Sequence, residues 1–284
     1  MSAVALVPPL AEAAAGASPA MGLGTTVSRV RGAAEALEAV ALEGVGKAAL
    51  LDRVDTKFLL PVQLLPVVLA RAAAEYRVLE IGGARLRAYR SRYFDSPDLA
   101  CYRAHHSGRL PRYKVRVRSY LETAQHFVEV KLKTSRGRSL KSRLPLVPDG
   151  ADPMSLLAAR PLLGLADTLP PLALRPVLVV DYTRITLVSR LAAERVTLDF
   201  LVELSTDTRS RSCGGIAIAE LKQERLAKSP FPRLLRELGQ RETRVSKYCL
   251  GVASLIERAP RNRFQPLLRN IDRMIANHAQ PGAC

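Results

Sequence analysis

A single α+β domain built around an antiparallel sheet or barrel is the fold class this sequence predicts. Three observations lead there. The chain has 284 residues, 48% of them hydrophobic, enough to bury a sizeable core and too many for a disordered chain. From Arg53 onward, short segments of period-2 alternation recur between Pro, Gly, Asp and Ser. Helical patterns are inserted singly into that series of strands.

The elements follow in order. Residues 1–28 are Ala, Gly and Pro with almost no charge and read as a disordered tail. Residues 29–51 carry Glu35, Leu37, Glu38 and Leu42 at helical spacing and predict a surface helix. Strands are predicted near 53–60, 87–95, 112–120, 126–133, 138–146, 174–183, 184–190, 194–204 and 216–222. Helices are predicted at 61–75, 97–106, 153–159, 230–238 and 246–258. The main domain is thus expected over 29–258. Residues 259–284, with Arg261, Arg263, Arg269 and Arg273, read as a basic C-terminal tail. Such a run is usually a solvated face; peripheral contact with a membrane or a partner protein is the alternative.

Charge narrows the function. Lys and Arg number 43 against 26 acidic residues, a formal +17, with 34 Arg and 9 Lys. Arginine's planar fork suits phosphate and carboxylate, so a polyanion or phosphorylated ligand is the expected partner class. Four scattered cysteines without a CxxC, and four histidines without ligand spacing, argue against structural zinc and against a disulfide framework. They fit a reducing compartment, and a cytoplasmic location is expected. Any metal would sit on carboxylate and phosphate oxygen, which favours Mg²⁺ or Mn²⁺. No apolar run is long enough to span a membrane.

The strands carry the chemistry. Arg112, Lys114, Arg116 and Arg118 alternate with Tyr113, Val115, Val117 and Ser119, so four cations share one face. Glu129, Lys131 and Lys133 alternate in the next strand. Glu220 and Lys222 alternate in a later one, as do Thr197, Asp199 and Leu201 against Val196, Leu198 and Phe200. Arg53, Asp55 and Lys57 share one face of the first. Each polar face alone is an ordinary solvated sheet face. If the faces turn inward together, the cations crowd unless a polyanion fills the space. Other phosphate motifs fail: GVGK at 44–47 lacks P-loop spacing and its hydroxyl, and no GxGxxG follows a strand. Aromatics are 5% with no Trp, which disfavours a base-stacking platform, and no specific nucleic-acid partner is expected.

The ordered segments RVDTKFLL (53–60), RYFDSPDLACY (92–102), YKVRVRSY (113–120), FVEVKLKT (127–134), LRPVLVVDYTRITL (174–187), RVTLDFLVEL (195–204), IAELKQE (218–224) and RVSKYCLG (244–251) resemble the catalytic domain of the vacuolar transporter chaperone (VTC) polyphosphate polymerases. That family belongs to the triphosphate tunnel metalloenzymes, alongside the CYTH phosphatases. The first strand reads RxDxK instead of the ExExK of CYTH enzymes, which points to the VTC branch.

The resemblance implies a closed antiparallel tunnel of about eight strands with helices outside. It implies Lys57, Arg116, Arg118, Lys131, Arg184 and Lys247 as phosphate-holding catalytic cations, with Ser246 donating a hydroxyl. Glu220 would hold Mn²⁺ or Mg²⁺. Arg53, Lys222, Arg244, Glu129 and Asp199 would line the wall or orient these groups, and the role of Asp181 is left open. The implied reaction moves the γ-phosphoryl of ATP onto a growing inorganic polyphosphate chain. The alternatives are a tunnel triphosphatase, with Glu129 orienting water, and a non-catalytic module binding polyphosphate or inositol phosphates.

Overall fold

A computed structural model describes residues 20–49, 54–135, 139–146 and 173–279. Its core is one sheet. The long strands are β2 (Val54–Pro61), β4 (Arg87–Asp95), β5 (Arg112–Tyr120), β6 (Gln125–Lys133), β7 (Ser139–Leu146), β8 (Arg175–Ser189), β9 (Glu194–Ser205) and β11 (Ile216–Gln223). They run in the order β2-β11-β9-β8-β4-β5-β6-β7, every neighbour antiparallel. Short β10 (Ser210–Cys213) adds to β9, and β3 (Tyr76–Leu79) adds to β8 with β1 (Ala39–Val40) beyond it. The strands predicted at 174–183 and 184–190 are one strand, β8.

Among the described residues, the expected closed tunnel is not closed by hydrogen bonds. β2 and β7 end the path without pairing each other. The sheet curls instead, and side chains meet across its hollow side: Lys131 of β6 lies 3.6 Å from Asp55 of β2. Bulges help it curl. Between Asp181/Glu203 and Thr183/Phe200 the β8–β9 register shifts, and Leu201 beside the shift has φ +51°. Strict alternation placed Leu201 on the polar face with Asp199. It packs with the outer core instead, and the shift brings Val202 and Leu204 to the side that Asp199 faces.

Alternate residues of each strand feed two cores. Phe58, Leu60, Leu198, Phe200, Ala219 and Leu221 pack outward, against α1 (Ala20–Glu35), α2 (Leu65–Ala72) and α4 (Pro230–Glu237). Leu59, Leu178, Val180 and Ile218 pack on the hollow side against α5 (Lys247–Leu255), with α6 (Gln265–Ala279) behind it. Helix α5 plugs one part of the hollow. It comes close enough to β8 that a Cβ on Gly251 would overlap the Leu178 side chain. Asp95, fully buried, ties β4 to the helices: it accepts from Cys101 N (2.8 Å) and Tyr102 N (2.9 Å) of α3 (Ala100–Ser107), and from the Tyr248 hydroxyl of α5.

Two terminal expectations change. The N-terminal helix begins at Ala20, inside the predicted tail, and ends at Glu35 rather than running to 51; its Val30 and Ala34 are buried. Residues 265–279, within the expected basic C-terminal tail, form a helix with Ile271 buried. The helix predicted at 153–159 lies outside the described residues.

Candidate functional site

The polar residues of the hollow face form a trough beside the plug helix. Cross-strand register sets its rows. Arg116 faces Glu129 across β5–β6 and Tyr93 across β5–β4. Lys114 faces Lys131. Arg184 faces Asp199 across β8–β9, Glu220 faces Thr197 and Lys57, and Lys222 faces Asp55. Each side chain is therefore aimed by the pleat, and the curl converts separate stripes into one cluster.

The ion pairs fall into two kinds. Tight ones position. Arg184 donates through Nε and Nη2 to the two Asp199 oxygens at 2.6 and 2.8 Å, and Lys247 donates to Asp199 as well. Arg116 donates Nε and Nη2 to Glu129 at 2.8 and 2.5 Å. Looser ones lie beyond charge-assisted hydrogen-bond range. Lys57 is 3.4 Å from Glu220, and Arg118 is 3.6 Å from Glu129 with its buried Nε lacking any partner. Lys222 is 3.3 Å from Glu220 and is steadied by Thr197 Oγ1 at 2.7 Å.

The trough is walled by protein yet open to water. A third of the Lys57 side chain and 43% of that of Lys131 remain accessible, whereas Asp199 is 1% exposed. Eight cations (Lys57, Lys114, Arg116, Arg118, Lys131, Arg184, Lys222, Lys247) face four carboxylates (Asp55, Glu129, Asp199, Glu220), an excess of four positive charges.

The titration shifts follow from that excess. Burial opposes the charge of Glu129, but Arg116 and Arg118 outweigh it and bring its pKa down to about 2. Burial likewise opposes Asp199, which Arg184 and Lys247 hold well below the usual carboxylate range. Burial opposes Glu220 too, and Lys222 and Lys57 hold it well below that range. Lys57 is raised, because Glu220 and Asp55 outweigh its own burial. Lys114 moves the other way, down to about 8, through burial and then the charges of Lys57, Lys131 and Arg116. Its ammonium donates to Ser246 Oγ at 3.0 Å. Ser246 also caps α5, accepting from Cys249 N at 3.3 Å.

The trough thus brings together Lys57, Arg116, Arg118, Glu129, Lys131, Arg184, Asp199, Glu220, Lys222, Ser246 and Lys247. Arg53 lies outside the described residues. Arg244 is exposed on the segment before α5, and no contact among the described residues joins it to the cluster. That segment covers the free edge of β2, where Thr243 N donates to Lys57 O at 2.8 Å. Asp181 works on the outer face, where Arg90 donates to it at 2.8 and 3.0 Å. Lys114 and Asp55 join the site too; both sit in the polar stripes of their strands, with no motif to single them out. An aromatic floor completes it. Tyr89 and Tyr182 stack with centroids 5.3 Å apart, Arg184 lies 5.1 Å from the Tyr89 ring, and Lys247 lies 4.5 Å from the Tyr182 ring. Only position marks those tyrosines, since they occupy the polar alternation of β4 and β8.

Among the described residues, no three His, Cys, Asp or Glu side chains come together. A divalent cation here would draw one ionised ligand, Glu220, from the protein and the rest from phosphate and water, a donor set that suits Mg²⁺ or Mn²⁺. Among the described residues no helix is long and apolar enough to cross a membrane, and Cys101, Cys213 and Cys249 are free and buried.

Comparison with known proteins comes from two directions. The VTC domain family matches residues 52–256. Similar solved structures include a proposed adenylate cyclase from Vibrio parahaemolyticus, 13% identical, covering 70% of this chain and 98% of that one with a TM-score of 0.42. Another is a proposed adenylyl cyclase from Hippeastrum with a dominant triphosphatase activity, 16% identical, covering 71% and 96% with a TM-score of 0.41. A third is the PH1012 protein from Pyrococcus horikoshii, 13% identical, covering 66% and 90% with a TM-score of 0.38. These likenesses are too distant to carry an activity across. No curated protein matches the chain.

Proposed function

From the premise that this chain belongs to the VTC domain family, we propose that it is a polyphosphate polymerase. It moves the γ-phosphoryl of ATP onto the end of an inorganic polyphosphate chain held in the trough. One observation carries the reading: among the described residues the trough has a surplus of cations, and each of its four carboxylates has a cation beside it. Glu129, the candidate for orienting a hydrolytic water, is held by Arg116 and Arg118. A carboxylate with a pKa near 2 is a weak base. A terminal phosphate is already ionised and needs no base, so in-line positioning and charge neutralisation suffice.

The residues divide the work. Lys57, Arg118 and Lys131 reach the phosphates along the trough. Arg184, Lys247 and Arg116 are fixed by Asp199 and Glu129 and present their remaining N–H donors at set positions. Ser246 and Lys247 bring the start of α5 to the same space. Glu220 would hold Mn²⁺ or Mg²⁺ together with phosphate oxygens, and the ion would offset charge on the transferring group.

Incubating the purified protein with ATP and Mn²⁺ or Mg²⁺, then resolving products by length, tests this. Chains longer than triphosphate with matching ADP are expected, and Glu220→Gln should abolish them. Free phosphate as the sole product would replace the reading with a triphosphatase. Phosphate-chain binding with no turnover would replace it with a binding module.

A further inference from the structure

The opposite face of the same sheet edge carries a second group of cations. Successive residues of β2 point to opposite sides, so Asp55 and Lys57 enter the trough while Thr56 and Phe58 face away from it. On that far side Thr56 and Phe58 border an open cavity of about 1150 Å³ between β2, the end of β11 and α4. Lys228, Arg233, Arg236 and Arg241 line it. Among the described residues, none of these four side chains makes an ion pair or hydrogen bond. Some surface arginines are paired, Arg71 with Glu237, Arg190 with Glu38 and Arg211 with Asp272, and others such as Arg92 and Arg273 stand singly among the described residues; here four cations without a partner share one concavity. Two carboxylates, Glu75 and Glu242, also line the cavity, so the cations outnumber them two to one.

The cavity wall is anchored. Glu194, 1% exposed, accepts from Gln223 Nε2 at 3.0 Å, from Ser229 Oγ at 3.1 Å and from the Tyr76 hydroxyl. Gln223 Nε2 also donates to Ala227 O at 3.2 Å. These bonds fix both ends of the loop that enters α4. The first turn of α4 offers few donors of its own: Pro230 and Pro232 have no N–H, and Phe231 N is taken by Ser229 Oγ at 3.3 Å. Recognition in the cavity therefore falls to the four long cationic side chains. At about 1150 Å³ the concavity is open and has room for a ligand larger than a single phosphate.

We propose that this cavity is a second anion-binding site, separate from the trough, for a compact ligand bearing several phosphate groups. An inorganic oligophosphate and a phosphorylated metabolite share that chemistry. Unpaired guanidinium groups around one concavity lose little by exchanging water for phosphate and gain bidentate contacts.

Calorimetric titration of the full chain with tripolyphosphate, and separately with fructose 1,6-bisphosphate, tests it. A binding event is expected that survives Arg116→Ala/Arg118→Ala and weakens about tenfold or more in Arg233→Gln/Arg236→Gln. The tighter of the two probes identifies the source of the phosphates. Because the trough pair could unfold the protein, hydrogen exchange on the wild type gives a second reading: added ligand should protect amides of residues 224–241. A failed trough reading leaves the cavity event in place, so the two ideas separate. The proposal is overturned if Arg233→Gln/Arg236→Gln changes no binding event with either probe by more than about twofold, or if neither probe protects 224–241.

Discussion

Lys131 Nζ on β6 lies 3.6 Å from Asp55 Oδ2 on β2, although five strands stand between them in the hydrogen-bonded order from β2 to β6, counting neither. No backbone ladder joins the two strands. The contact records how far the sheet has curled, and it draws the β5–β6–β7 arm over the trough. A double-mutant cycle with Asp55→Asn and Lys131→Met should give a coupling of about 0.2–1 kcal/mol, since Lys131 stays well exposed to water. Chemical denaturation in low salt and in about 1 M salt checks it; the coupling should shrink at the higher ionic strength.

Asp199 and Arg118 should separate stability from binding. Asp199 is buried between Arg184 and Lys247, so Asp199→Asn strands two cations and should cost about 3–5 kcal/mol. Arg118 has a distant partner and an unsatisfied Nε. Arg118→Gln should change stability by less than about 1 kcal/mol, yet weaken tripolyphosphate binding about tenfold or more. Equal effects of the two variants on melting temperature would contradict this division.

Lys114 should make trough binding pH-dependent. Its pKa in the folded chain is about 8, against an ordinary 10.5. Between those values the unfolded chain binds more protons, so this residue's contribution to stability rises with pH across that window. An anion beside the ammonium reverses the shift. Tripolyphosphate binding near pH 8 should therefore take up protons, and affinity should fall as pH climbs past it. Calorimetry in buffers of different ionisation enthalpy reads the uptake, which Lys114→Met should remove.

Gly251 is the structural control. A methyl group there collides with Leu178, so Gly251→Ala should destabilise the plug helix by about 1–3 kcal/mol. The loss should appear in denaturation and as faster hydrogen exchange in α5, while outer residues such as those of α4 change less.

Much of the site was legible because strand alternation is a local property. Arg116, Arg118, Glu129, Lys131, Asp199, Glu220 and Lys222 were found from spacing and order, and the structure gathers them into one trough. Lys114 stands in the same stripe, but nothing in its spacing sets it apart from its neighbours, and its distinguishing contact, Ser246, lies 132 residues away. Tyr89 and Tyr182 look like any strand tyrosines until the rings stack. Leu201 was misplaced because alternation assumes an unbroken strand, and the β8–β9 register shift breaks it.

By itself, then, the sequence determined the strands, the faces they present and the kind of charge each face bears, because period and composition are written residue by residue. Tertiary structure alone decided that those faces turn toward one another without the ladder closing. It decided which cations are clamped by carboxylates and which remain loosely held. It also exposed the cationic cavity behind β2. Those outcomes depend on curl, bulges and helix packing, which sum contacts between residues far apart in the chain.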